Sequence, residues 1–323
     1  MKNFKTYLAA AAMLTAAALT VDKASAQAAQ GSDDASTIAI MAVAPTEADG
    51  LPAGAGQALK NKMDQIASAT GLGSMSDYAQ FCMVVAVDTE SKDVLAGSPP
   101  KIAQTLNFNF RIIDRFDGKV FSSTSVRAKA VGDNETRSYV QAIRQLNARS
   151  SELASFVDAG RQKIIEYYNA NCDRIIAKSR SLATQEQYGE ALFLLTQIPD
   201  VCEECYMKSM AAAGEIFQAY MDKMCSVNLA KARSIWSATQ TSEGGLAAGV
   251  FLAEIYPDAA CYPEAEQLYK EITARIGKNL DFEMKKWDDL VSLESQRIEA
   301  VRAIGVTWGE NQQPVNYSAT IVE

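Results

Sequence analysis

Cys172-Asp-Arg-Ile-Ile-Ala-Lys-Ser-Arg-Ser-Leu182 and Cys225-Ser-Val-Asn-Leu-Ala-Lys-Ala-Arg-Ser-Ile235 are two copies of one pattern, Cys-x4-Ala-Lys-x-Arg-Ser-[Leu/Ile]. The correspondence continues downstream. Leu195-Thr-Gln-Ile-Pro-Asp200 ahead of Cys205-Tyr206 mirrors Leu252-Ala-Glu-Ile-Tyr-Pro-Asp258 ahead of Cys261-Tyr262, so each copy opens and closes with a cysteine. The opening cysteines lie 53 residues apart and the closing ones 56, a period found in helical repeat arrays. Apolar residues recur at helical spacing from Ser150 to about residue 305, with Phe156, Ile164, Ile165 and Tyr168 on an entry helix. Each copy reads as helix A from the first cysteine to about Ala183 or Ala238, helix B over 187–198 or 244–255, and a third helix from near the closing cysteine.

Upstream of the repeats the periodicity changes. Ile38-Ala-Ile-Met-Ala-Val43 reads as a buried strand stopped by Pro45. Gln57 to Ala69 reads as a helix with Leu59, Met63 and Ile66 on one face, and Phe81-Cys-Met-Val-Val-Ala-Val87 as a central strand. Leu106, Phe108, Phe110 and Ile112 alternate with polar neighbours, Asp117-Gly118 supplies a turn, and Val120 to Val131 returns as a hairpin partner. Asp133 or Asn134 then caps a helix with Tyr139, Ile143 and Leu146 inward. The expected fold is α+β: a small β-α-β-β-β-α domain over 37–148, then an all-α helical-repeat domain over 149–277. A long C-terminal helix over 278–309 follows, with an apolar stripe of Leu280, Met284, Trp287, Val291, Ile298 and Val301 that docks on the preceding repeat. An extended tail over 310–323 ends the chain, in which Val315 to Val322 alternates like a strand.

The first 26 residues have the pattern of a secretory signal peptide: Lys2 and Lys5, an apolar run from Tyr7 to Val21, then Ala24-Ser25-Ala26. Cleavage is expected after Ala26, with 27–36 as a linker, giving a product located in the periplasm or outside the cell with no membrane insertion afterwards. Residues 1–26 carry Lys2, Lys5, Lys23 and Asp22, so their removal takes the net charge from −8 to −10. An acidic surface repels phosphate backbones, which argues against nucleic acid as a partner.

Six cysteines in an exported chain are expected to form disulfides. If the start of helix A and the exit of helix B share one end, Cys172 meets Cys205 or Cys202, and Cys225 meets Cys261. Closed loops of this size contribute about 3–4 kcal/mol each in the chain-entropy model. Cys82, inside an apolar strand, reads as a buried free thiol. The chain contains no histidine, which removes Ser-His-Asp and Cys-His nucleophile activation and every His-containing zinc site. No catalytic residue, metal site or cofactor is expected. Gly54-Ala-Gly56 lacks the third glycine of a dinucleotide fingerprint, and Asp114, Asp117, Glu203 and Glu204 sit at turn and cap positions.

The order of elements, ending in a hairpin and a capped helix, resembles the periplasmic α/β domain shared by curli-secretion channel proteins and by outer-membrane lipoprotein activators of cell-wall synthases. Gln187-Tyr-Gly-Glu-Ala-Leu192 resembles the start of the second helix of a tetratricopeptide repeat. Through Val131-Gly-Asp-Asn-Glu-Thr136, Lys163-Ile-Ile-Glu-Tyr-Tyr-Asn169 and Asp258-Ala-Ala-Cys-Tyr262 the whole chain is similar to secreted proteins of gut Bacteroidota that join such a domain to helical repeats. These resemblances imply an accessory envelope role and carry over no catalytic residue.

The expected function is a non-enzymatic scaffold or adaptor that binds a protein or peptide of the cell envelope, with Tyr188, Tyr206, Trp236, Tyr262 and Tyr317 as candidate contacts. Two alternatives stand beside it. Cys202-Glu-Glu-Cys205 has the spacing of a thiol-disulfide oxidoreductase, and the strand-like tail suits a structural component of an extracellular or virion assembly.

Overall fold

The computed structural model describes residues 38–46, 51–73, 79–277, 284 and 293–310. The expected signal peptide, the linker, most of 278–292, and the tail with Tyr317 lie outside them.

The alternating segment Leu106 to Ile112 decides the first layer. Its four apolar side chains are fully buried on one face of β3 (Lys101–Asp114). That strand is central in a sheet of order β1-β2-β3-β4, with β1 over Ile40–Val43, β2 over Phe81–Leu95 and β4 over Val120–Gly132. β1 runs parallel to β2 through α1 (Ala55–Ala69), which supplies the crossover a parallel pair requires. β2, β3 and β4 are antiparallel, with Phe81 opposite Asp114 and Phe108 opposite Val126. The Asp117-Gly118 turn closes β3 to β4: Gly118 takes φ 75, open to glycine at little cost, and its N–H donates to Asp114 O at 2.9 Å.

β2 reaches eight residues beyond the apolar run that announced it, because Asp88 to Leu95 pairs with β3 in spite of a polar sequence. The register shifts between Thr89 and Ser91, and again between Ile112 and Ile113. At the second shift Phe121 is the extra residue of β4 and turns into the core beside Phe81 and Tyr167. The opposite face of the sheet is polar and hydrogen-bonded within itself, as in Asn109 Nδ2 to Asp88 Oδ2 at 2.6 Å.

α2 (Glu135–Gln145) is capped by Asn134, whose Oδ1 accepts from Arg137 N–H at 2.8 Å. The next helix corrects the expected repeat. α3 runs unbroken over Ser151–Thr184, capped by Ser150, so the entry helix and the first helix A are one element and Cys172 lies in its interior. Nothing in the stretch forces a stop: it holds no proline, and its one glycine, Gly160, marks a close approach. A Cβ there would stand 2.6 Å from Ile112 Cδ1 and 3.2 Å from Ser122 Oγ. The first part of α3 packs on β4, and its second part packs on α4 (Tyr188–Thr196) and α5 (Glu203–Ala238).

α5 repeats the pattern. It fuses the third helix of copy one to helix A of copy two, and is followed by short α6 (Ser242–Leu252) and α7 (Tyr262–Ile276). Helices of 34, 9, 36, 11 and 15 residues alternate long and short, unlike a tetratricopeptide unit, which places two helices within about 34 residues. α8 (Leu293–Glu310) lies against α4 and α5, and Val301 and the separately described Met284 are buried in the common core.

Candidate functional site

The disulfides set the frame. Cys172 in the interior of α3 is joined to Cys205 in the first turn of α5, with Cα atoms 5.6 Å apart. Cys225 in the interior of α5 is joined to Cys261 at the start of α7, at 5.9 Å. Each bond ties the middle of one long helix to the beginning of the next element, around the short helix between them. Of the two partners open to Cys172, the structure takes Cys205.

That pairing removes the dithiol geometry. Cys202 is not joined to Cys205; it is a buried free thiol 3.9 Å from the carbonyl oxygen of Ile165. Burial, with Asp200 adding to it, pushes its pKa up and keeps it a thiol. Cys82 is also free and buried, pushed up to about 11 by burial and Asp114 against the opposing pull of Arg115. Neither is set up as a nucleophile.

The carboxylates considered from sequence are occupied by local structure. Asp114 Oδ1 accepts from Phe116 N–H at 2.9 Å and Oδ2 from Gln80 Nε2 at 2.8 Å, while Gln80 also donates to the Tyr168 hydroxyl. Burial raises the Asp114 pKa above the usual carboxylate range, and the donors act against it. Asp117 accepts from Lys119 N–H at 2.8 Å, and Glu204 pairs with Lys208 on an exposed turn of α5. Among the described residues no cluster of His, Cys, Asp and Glu is arranged to hold a metal ion, and no helix is long and apolar enough to cross a membrane.

The aromatic candidates are scattered. Trp236 is only 6% exposed and belongs to the core, a correction to its reading as a contact residue. Tyr188 is half-buried, edge-on to Tyr220 at 5.8 Å. Tyr262 opens α7, half-buried, its phenol pKa raised by burial and by Glu266. Tyr206 precedes Met207, a lining residue of a concave feature, in the sequence. Its hydroxyl accepts from Arg302 of α8 at 3.0 Å, beside a groove of about 290 Å³ between α5 and α8.

The groove is built by spacing. Met207, Met210 with Ala211, Gly214, Phe217 with Gln218, and Met221 recur along α5 at alternating steps of three and four, which sets them on one helix face. Ile298 and Val301 of α8 form the other wall. Phe217 and Met221 make its deep end, whereas Met207 is 67% exposed and nothing stands within 4 Å of where a Gly214 Cβ would be. Gln218 is held at the rim by donating to Asp258 O at 3.0 Å and to Asp222 Oδ1 at 3.1 Å. Unbranched methionine side chains adapt to irregular apolar surfaces. Sequence reading passed over this stripe because apolar residues at helical spacing ordinarily signify core; the signal that distinguishes it is Ala211 and Gly214 in the same face as three methionines.

No family model and no curated protein matches the chain. Among solved structures, a minor lipoprotein from Acinetobacter baumannii is similar over 39% of this chain and 94% of its own, at 19% identity and a TM-score of 0.26. A Caulobacter crescentus CB15 protein assigned as a lipoprotein is similar over 38% of this chain and 89% of its own, at 12% identity and a TM-score of 0.22. These values establish no shared fold; both neighbours are described as lipoproteins of Gram-negative bacteria, and neither organism is one of the Bacteroidota.

Proposed function

We propose that the protein is an exported scaffold of the cell envelope that binds an amphipathic helix of a partner protein in the groove between α5 and α8. Two disulfides fit an oxidising compartment outside the cytoplasm, and the N-terminal pattern of Lys2, Lys5 and the apolar run fits delivery there. The observation that carries the binding reading is the half-open methionine stripe. Its period is that of a helix, and Ala211 and Gly214 at its centre let another helix approach closely, the mode in which an apolar helix face lies in a groove. The net charge of −10 left after removal of residues 1–26 favours a partner helix with basic flanks.

The test is titration of the full mature protein with a fluorescent Leu/Ala-faced helical peptide flanked by lysines, followed by anisotropy. Met207→Asp, at an exposed position that leaves the core alone, should weaken binding by about tenfold or more, a loss of about 1.4 kcal/mol. The same peptide with its apolar positions scrambled should not bind. Equal affinity for the variant and the natural protein would remove the groove from consideration.

A further inference from the structure

The methionines of the groove differ in how far solvent reaches them. Met207 is 67% exposed, Met210 is half-buried, and Met221 at the deep end is 1% exposed. Elsewhere among the described residues, Met63 and Met83 are fully buried, Met284 is 7% exposed, and Met41 and Met224 are half-buried outside the groove. The most accessible thioether of the described residues is therefore one that lines the groove. One and two turns further along α5, the exposed Ala211 and Gly214 add no bulk that would shield it.

The sulfurs of the cysteines do not compete with it for an oxidant. Cys172, Cys205, Cys225 and Cys261 are already joined in disulfides. Cys82 and Cys202 are buried, and burial raises both pKa values, so little of either is the reactive thiolate at neutral pH. A thioether needs no deprotonation to react. Hydrogen peroxide is uncharged, so the net charge of −10 left after removal of residues 1–26 does not hold it off.

We propose that Met207 is a sulfoxidation site through which peroxide turns the groove off, with Met210 following it. The inference rests on the reading of the groove as a helix-binding site. The Met207 sulfur attacks one peroxide oxygen and the O–O bond breaks. The departing hydroxide takes the proton of the transferred oxygen and becomes water, so the sulfur is oxidised to sulfoxide as the peroxide is reduced. Sulfoxidation makes a flexible apolar side chain polar. The new oxygen finds no donor in the groove: Gln218, the one polar side chain of the described lining, already donates to Asp258 O and Asp222 Oδ1. Covering the sulfoxide with an apolar helix face then buries a polar group unpaired, which opposes binding. The fold is spared, because Met207 lies outside the core and Met63, Met83 and Met221 are shielded within it.

Graded hydrogen peroxide treatment of the full mature protein tests it, with peptide mapping by mass spectrometry to read the order of oxidation and anisotropy of the lysine-flanked peptide to read the groove. Met207 should gain its oxygen about tenfold faster or more than Met63, Met83 or Met221, and saturating peptide should slow it. Protein oxidised at Met207 should bind the peptide at least about tenfold more weakly at an unchanged melting temperature. The double variant Met207→Leu with Met210→Leu, which keeps the apolar face, should bind equally before and after peroxide. Oxidation of Met207 no faster than that of the buried methionines, or undiminished binding once it is oxidised, would overturn this inference alone. So would loss of binding in the double variant, because the sensitive atom would then lie elsewhere. A natural protein that binds no peptide before any peroxide is added removes the groove reading, and this inference falls with it.

Discussion

The sheet region and the stapled helices reach a packed interior by different means. Under the sheet the buried residues are large: Phe108, Phe110, Leu106, Ile112, Met83 and Leu59 have essentially no exposed surface. Around the two disulfides many of the buried contacts are small, with Ala191, Ala212, Ala213, Ala232, Ala248, Ser179 and Ser209 between the helices. Small side chains let helices approach closely but remove less apolar surface from water per residue. A cross-link that limits the unfolded chain offsets that shortfall. The two disulfides of this molecule lie in the region that holds these small side chains, and the sheet, with only the free thiol of Cys82, manages without a bond.

The largest expected effect falls on the sheet. Phe110→Ala should cost about 3–5 kcal/mol, measured as the shift of the urea transition at unchanged slope; a cost below about 1 kcal/mol would mean that the large side chains are not what holds that region. Replacing both Cys225 and Cys261 by serine should cost about 3–4 kcal/mol. Hydrogen exchange should place the loss in α5, α6 and α7 and leave β3 protected. Equal loss in β3 would show that the two regions open as one cooperative unit, and the contrast drawn above would then describe composition without describing stability.

The smallest effect sharpens the seam between the regions, where Asp114 of the sheet meets Tyr168 of α3 at 3.4 Å. Burial raises the folded-state pKa of Asp114, so the stability tied to its protonated form is present below the unfolded carboxylate value of about 3.9 and is lost as pH rises through the folded value. Asp114→Asn, which does not titrate, should gain stability relative to the natural protein across that rise. Thermal melts from acid to neutral pH would show it, and a difference that does not change with pH would contradict the burial argument.

What the sequence made legible follows from what encodes it. The alternation from Leu106 to Ile112 named the buried face of β3, and Asn134 the cap of α2, because each is a local pattern with one reading. The Cys repeat pointed to cross-links but misplaced the helix starts: Cys172 and Cys225 sit inside α3 and α5, and no breaker marks where a repeat unit begins within a continuous helix. The far half of β2 was unreadable for another reason. Thr89-Glu-Ser-Lys-Asp93 has little strand propensity and is held by its pairing with β3, a tertiary effect. The two pairing shifts, and the turn of Phe121 into the core, belong to the same category. At the groove, aromatic residues drew attention away from the methionine face of α5, and no periodicity announces that Met207 is exposed.

The continuity of α3 has a mechanical consequence. At 34 residues it is about 51 Å long, anchored under the sheet by Gly160 against Ile112 and clamped in its interior by the bond from Cys172 to Cys205. A pull applied through the stapled helices is thus transmitted as axial load along one stiff rod into the sheet, with no joint at which the two could bend apart.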